Sequence, residues 1–397
     1  MDAYFQKLNQ SLRNYPRAIP CLLIDLDILD ENLVTLKKNW NPQAAFRIVV
    51  KSLPSVALIE YIMKKGYTHK LMVFHQPFLT DLASRLDTQS SILLGKPMPV
   101  KTAGYFFKNL PENERGFDPY KQIQWLVDTK ERIIQYLELS KAIGKSLRLN
   151  LEIDVGLHRG GFTTSGELAG ALQLISDNPN HLTLAGLMGY DPHVVKLPKV
   201  IRTPEKAFRL ANDFYQECKN LIKNNFPGLW SDDLTFNGAG SPSIELHQKL
   251  DSPLNDVSLG SCLVKPTTFD LPTLAAFQPA CFIAAPVLKA FNNTTLPAME
   301  GMAKWLGMLR PGYQKSYFIY GGLWKADYHY PKGIKQNPLF GSTNQNMLNA
   351  PNKTKLAVDD FVFLRPHQSE FVFLQFGNVL AIRDGQIVAE WQILKNH

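Results

Sequence analysis

The chain has 397 residues, 45% of them hydrophobic and 11% aromatic, enough for a barrel-sized domain and a smaller one, each with a folded core. Four scattered cysteines (Cys21, Cys218, Cys262, Cys281) form no CxxC pair, which argues against a disulfide framework or a structural zinc and fits a reducing compartment. The net charge of +8 comes without a dense Lys/Arg cluster, so a dispersed basic surface that attracts an anionic substrate or a phosphate is favoured over nucleic-acid binding.

Met1 to Pro20 has no apolar core of signal-peptide length, and no window approaches a membrane-spanning run, so a soluble cytoplasmic protein is expected. Residues 1–20 predict a leading helix that exits at Pro16 and Pro20. Cys21-Leu-Leu-Ile-Asp-Leu26 predicts an apolar strand, with Asp27 placed to cap a helix from Ile28 to Trp40. Strand patterns then recur at 46–51, 70–74, 91–94, 122–127, 147–154, 183–189, 233–237 and 256–260. Helical stretches stand between most of them, including 54–65, 129–143, 166–176 and 204–224. Thr203-Pro-Glu-Lys gives the last of these a cap and a first-turn proline. This alternation predicts parallel strands with helical crossovers. Eight units in about 220 residues fit a (β/α)8 barrel better than an open sheet. No GxGxxG follows the first strand and no P-loop occurs, so nucleotide folds lose support.

Beyond about residue 270, Pro, Gly, Asn and aromatic residues dominate. The tail alternates at 361–364, 371–376, 379–382 and 387–391, with Asp384-Gly385 as a hairpin signal. The expected plan is a lead-in over 1–20, a barrel over 21–268 and a mainly antiparallel β domain over 269–397. Strand 21–26 is one too many for the barrel and is a candidate to pair with the later domain.

Active sites of such barrels stand at the C-terminal ends of the strands. Phe46-Arg-Ile-Val-Val-Lys-Ser52 reads as a buried strand ending on Lys51, with Arg47, Val49 and Lys51 on one face. A lysine there is costly without a partner or a covalent task, and the chemical use of a desolvated amine is attack on an aldehyde. The plain alternative is a lysine emerging into solvent. Other strand ends carry Glu152-Ile-Asp-Val-Gly-Leu-His-Arg-Gly-Gly-Phe162, Gly186-Leu-Met-Gly-Tyr190-Asp-Pro-His193, Phe236-Asn-Gly-Ala-Gly-Ser-Pro-Ser243 and Ser258-Leu-Gly-Ser261. Gly238-Ala-Gly-Ser241 reads as a phosphate cradle or as a plain glycine-rich turn. Arg159 reads as a partner for a cofactor oxygen or a carboxylate, or as a surface arginine. His193 reads more simply as a core or loop histidine than as a metal ligand, and Tyr190 as a packed aromatic. Their joint placement at one end of one barrel raises the functional reading.

With Ile24-Asp-Leu-Asp27, Lys51, Ile153-Asp-Val-Gly-Leu-His-Arg159 and Gly186-Leu-Met-Gly-Tyr190, the chain resembles the pyridoxal-phosphate enzymes of the alanine racemase fold over about residues 15–395, most closely the D-threonine aldolase and D-serine dehydratase branch. The resemblance implies a pyridoxal-phosphate barrel followed by a β domain, working as a homodimer on a small amino-acid substrate near the subunit junction. It implies that Lys51 carries the cofactor as a Schiff base and that Arg159 approaches its phenolic oxygen. It also implies that Tyr190 lines the pocket and that Gly238, Gly240, Ser241, Gly260 and Ser261 receive the phosphate. Lys51, Tyr190 and His193 are the catalytic candidates. Alanine racemases place an arginine facing the pyridine nitrogen, two residues before the last-strand glycine. Here that position is Ser258, which retunes the ring and argues against a plain alanine racemase.

Metal-dependent members of the branch use a His-x-Cys or His-x-Asp pair near the C-terminus. Here Pro366-His-Gln-Ser-Glu370 keeps His367 but places Ser369, a poor divalent ligand, at the second position. Glu370, of opposite strand parity, would need a bulge to reach a metal. Three readings stand: a lyase for small D-amino acids (aldolase or dehydratase), a metal-independent racemase or epimerase with a second base from the β domain, and a non-catalytic pyridoxal-phosphate binder. Gly341-Ser-Thr-Asn-Gln345 is a candidate contact for the partner subunit's substrate, or a polar loop.

Overall fold

A computed structural model describes residues 2–38, 40–198, 200–295, 298, 301 and 308–395. The chain forms two compact units. One comprises 1–32, 263–270 and 277–393; the other comprises 33–262, 271–276 and 394–397.

The first strand, β1 (Cys21–Asp25), belongs to the sheet unit. The barrel unit closes on eight parallel strands in chain order: β2 (Ala45–Val49), β3 (Lys70–Val73), β4 (Ser91–Leu94), β5 (Ile123–Val127), β6 (Leu147–Glu152), β7 (Leu182–Gly189), β8 (Thr235–Gly238) and β9 (Asp256–Leu259). Parallel β2–β9 pairing completes the ring, with Arg47 opposite Ser258. Side chains such as Ile48, Leu71, Ile92, Leu149 and Leu187 are fully buried; Ile48 and Leu149 alternate with the inward-pointing Arg47 and Asn150, so they lie on the outer face of the strands. Helices are capped where the chain supplies an acceptor. Thr129, Thr164 and Thr203 each take a backbone N–H three residues on.

The second sheet joins β1 to β10 (Cys281–Phe291), β11 (Lys315–Tyr320), β12 (Ala326–Tyr330), β13 (Lys335–Gln336), β14 (Gln345–Ala350), β15 (Phe361–Pro366), β16 (Asn378–Arg383) and β17 (Gln386–Gln392). Its order is β13-β14-β11-β10-β1-β16-β17, with β15 paired to β10 and β12. It is mostly antiparallel; β1 runs antiparallel to β10 but parallel to β16. The helix Asp2–Arg13 lays Phe5, Leu8 and Leu12 into one core with Leu23, Phe282, Phe361, Phe363, Leu380 and Ile382.

Four local expectations need correction. The lysine-bearing strand stops at Val49, and Lys51 stands in a single 3₁₀ turn, Val50–Ser52, rather than on the strand face. The strand read as 147–154 ends at Glu152. The second helix spans Leu26–Lys37, and its free N–H groups at Asp27 and Ile28 are taken by Asp25, not Asp27; Asp27 instead accepts from Arg383 and the Asp384 backbone. Residues 371–376 form no strand. A short helix, Ser369–Phe373, stands there, so strand parity does not govern Glu370.

Candidate active site

The C-terminal ends of β2, β8 and β9 are stitched together within the barrel unit. Ser261 Oγ donates to Ser52 Oγ at 3.0 Å, beside Lys51. A Cβ on Gly260 would come 2.9 Å from both Ser52 Cβ and the Val49 carbonyl oxygen, so only glycine lets the last strand's turn lie this close to the lysine turn. The Cys262 backbone N–H donates to Ser241 Oγ at 3.0 Å and ties β9's turn to β8's. Lys51 is half-buried, with Nζ 4.4 Å from the centre of the Phe74 ring at the end of β3.

The ring of residues continues through Gly240 and Tyr190. A Cβ on Gly240 would stand 2.6 Å from the Tyr190 ring. The Arg159 guanidinium lies 5.0 Å from the centre of that ring and 3.8 Å from Glu152 Oε1. Its loop is held by Asp154, whose Oδ1 accepts from the Gly156 and His158 backbones, 2.9 Å each, while Oδ2 faces His158 Nδ1 at 2.9 Å. Burial pushes the Glu152 carboxyl above its ordinary value; Arg159 opposes the shift, and Asp128 and Asp154 reinforce it.

Beneath the mouth the barrel interior is polar. Arg47, fully buried, grips Asp256 with two hydrogen bonds (Nε–Oδ1 2.7 Å, Nη2–Oδ2 2.9 Å), and Nη1 reaches the Leu71 and Ser91 carbonyls. Lys70 Nζ adds a bond of 3.1 Å to Asp256. Although burial alone would raise the Asp256 carboxyl, Arg47 and the other donors hold it below the usual range. Asn237 Nδ2 donates to Asp256 Oδ1 at 2.6 Å and to Ser258 Oγ at 2.8 Å. A carboxylate only accepts, which fixes the amide orientation. The Ser258 hydroxyl is therefore an acceptor toward Asn237 and keeps its proton to donate elsewhere.

Thus Lys51, Ser261, Gly260, Ser241, Gly240, Tyr190 and Arg159 form one contiguous arc, with Gly238 and Ser258 on the strands that carry it. His193 stands at the start of the short helix His193–Lys196, its ring against Gly156. Burial lowers its pKa against the pull of Asp191 and Asp154, so its neutral imidazole is favoured. His367 belongs to the sheet unit, where Nε2 pairs with Asp327 Oδ1 at 2.9 Å and its backbone N–H donates to the Lys325 carbonyl. Ser369 is buried beside it in sequence. Among the described residues no group of three His, Cys, Asp or Glu side chains is arranged to hold a metal. No described helix is long and apolar enough to cross a membrane.

Sequence reasoning gave no role to Arg47, Asp256 or Asn237. Their signal was a lone charge inside each of two apolar strands, but the pairing joins positions 209 residues apart. Asp191 and His247 escaped notice in the same way, although Asp191 sits next to Tyr190.

An eight-stranded parallel barrel with a lysine turn, a serine-glycine turn and an arginine loop at the strand C-termini, followed in sequence by a mostly antiparallel sheet, defines the class. Residues 24–266 match the alanine racemase N-terminal domain, and the chain belongs to that family. No curated protein matches it by sequence. Among solved structures it is similar to the D-threonine aldolase from Filomicrobium marinum (TM-score 0.71, 16% identity, covering 96% of this chain and 98% of that one). It is also similar to the D-threo-3-hydroxyaspartate dehydratase from Delftia sp. HT23 (0.71, 15%, 97% and 99%) and to the alanine racemase from Bacillus anthracis (0.71, 15%, 95% and 98%).

Proposed function

We propose that this chain is a pyridoxal-phosphate-dependent lyase acting on small D-amino acids, in the manner of a D-threonine aldolase or a D-hydroxy-amino-acid dehydratase. The observation that carries the reading is the arc from Lys51 through Ser261, Ser241 and Tyr190 to Arg159 at the barrel mouth. Its donor set suits a phosphorylated aldehyde: a primary amine beside an aromatic face, hydroxyls on two glycine turns and one guanidinium. Bound there, pyridoxal phosphate would supply an aldehyde for condensation with amines and a ring that takes up carbanion charge. Gly238, Gly240, Ser241, Gly260 and Ser261 would receive its phosphate. Arg159 would face its phenolic oxygen and Tyr190 would back its ring. The Ser258 hydroxyl would be the donor toward the ring nitrogen. Lys51 would hold the cofactor and would be the group that moves a proton at the substrate's Cα. His193, favoured neutral, is the candidate to take or return a proton at the substrate's far side. The working unit is a homodimer, which light scattering checks.

Borohydride reduction after incubation with pyridoxal phosphate, followed by peptide mass spectrometry, should place the adduct on Lys51, and Lys51→Ala should abolish it. D-threonine and D-serine, supplied with and without divalent metal, should yield glycine or a keto acid; release of neither sinks the lyase. The serine at position 369, where metal-dependent relatives carry a ligand, favours a second reading: a metal-independent racemase. Solvent deuterium entering Cα of both enantiomers selects that one, and a visible adduct indifferent to every amino acid selects a non-catalytic binder.

A further inference from the structure

We propose that Asp191 is a positioning residue of the phosphate cradle: braced by His247, it pins Ser243 and so holds Gly238–Ser241 in its receptive turn. The inference rests on the reading that pyridoxal phosphate binds at this mouth. Asp191 follows Tyr190 directly, and its side chain is buried. Oδ1 accepts from Ser243 Oγ at 2.6 Å. Oδ2 lies 2.8 Å from His247 Nε2, and His247 Nδ1 lies 2.8 Å from Ser252 Oγ. His247 is itself buried, with its ring against Phe208 at 4.7 Å. Among the described residues, Asp191's only ion-pair partner is this histidine.

A buried carboxylate is an expensive way to brace a loop, so what it braces matters. Ala239 at the cradle's centre has φ of +57°, a left-handed conformation that an L-alanine adopts only when its surroundings enforce it. Two neighbours enforce it from β7's end. The Tyr190 ring lies where a side chain on Gly240 would be. Asp191 holds Ser243, whose backbone N–H donates to the Gly240 carbonyl at 3.1 Å. Consecutive residues thus grip both sides of the turn. Within it Ser241 Oγ already accepts from Cys262 N–H, so its own proton is free to face a phosphate oxygen.

The test compares the affinities of pyridoxal phosphate and pyridoxal, which differ only in the phosphate, by equilibrium dialysis on the full chain. Wild type should prefer the phosphate ester. Ser243→Ala and Asp191→Asn should each weaken pyridoxal phosphate roughly tenfold or more while leaving pyridoxal within about twofold, and Ser243→Thr, which keeps the hydroxyl, should restore the preference. Equal weakening of both vitamers would mark a purely structural role and overturn the proposal, as would an unchanged preference in Ser243→Ala, the variant less prone to misfold. A wild type that binds both alike, or neither, overturns the functional reading and this proposal together, an outcome distinct from the other two.

Discussion

Asp256 collects Arg47, Lys70 and Asn237 on one buried carboxylate. Arg47 has no route to solvent, so removing its counter-charge leaves a guanidinium stranded in the barrel. Asp256→Ala should cost about 3–5 kcal/mol of unfolding free energy, read by urea titration. The acid limb should change too. Because the folded carboxyl titrates below its ordinary 3.8, the pair stabilises the fold above that pH and the gain is lost as the pH falls through the depressed value. The variant's stability profile should therefore be flatter than the wild type's below about pH 4. At this scale sequence reading had mixed reach. Lys51, Arg159 and Tyr190 were legible because each ends or follows a strand pattern. The Arg47–Asp256 and Asp191–His247 pairs were not, since a hydrogen bond between residues so far apart is set by barrel closure, which no local pattern encodes.

Elements were more legible where the period was long and the punctuation clear. Each of the eight barrel strands overlaps a stretch whose pattern predicted a strand, and Thr203 caps its helix as its spacing predicts. Phe371-Val-Phe-Leu-Gln-Phe376 misled because a short apolar run alternates and also fits one buried helical turn; Val372 and Phe373 are buried in the helix Ser369–Phe373. The leading helix was visible as helix but not as core. Phe5, 1% exposed, stacks on Tyr330 at 4.9 Å and meets Phe282 and Phe363 edge-on or tilted at 5.2 and 5.0 Å. Phe5→Ala should cost about 3–5 kcal/mol, measured by thermal or denaturant unfolding; a loss below about 1 kcal/mol would show that the helix merely rests on the sheet.

Across the whole molecule the chain order and the unit order disagree. β1 leads the sequence yet lies in the middle of a sheet whose other strands all follow residue 280. Deleting residues 1–25 should leave β10 and β16 with facing unpaired edges, and the truncated chain should collect in the insoluble fraction on expression. Recovery of a soluble, sharply melting product would contradict that. The barrel's eight strands start at Ala45 and need none of those residues for their own hydrogen-bond ladder.

The parallel partnership of β1 with β16 joins Asp25 to Ile382. During synthesis Leu22, Leu23 and Ile24 precede their parallel neighbours Val379 to Ala381 by the whole length of the barrel. An apolar ribbon therefore stays without that neighbour while the barrel strands form, and a chaperone that holds nascent chains should be found on β1 rather than on the barrel.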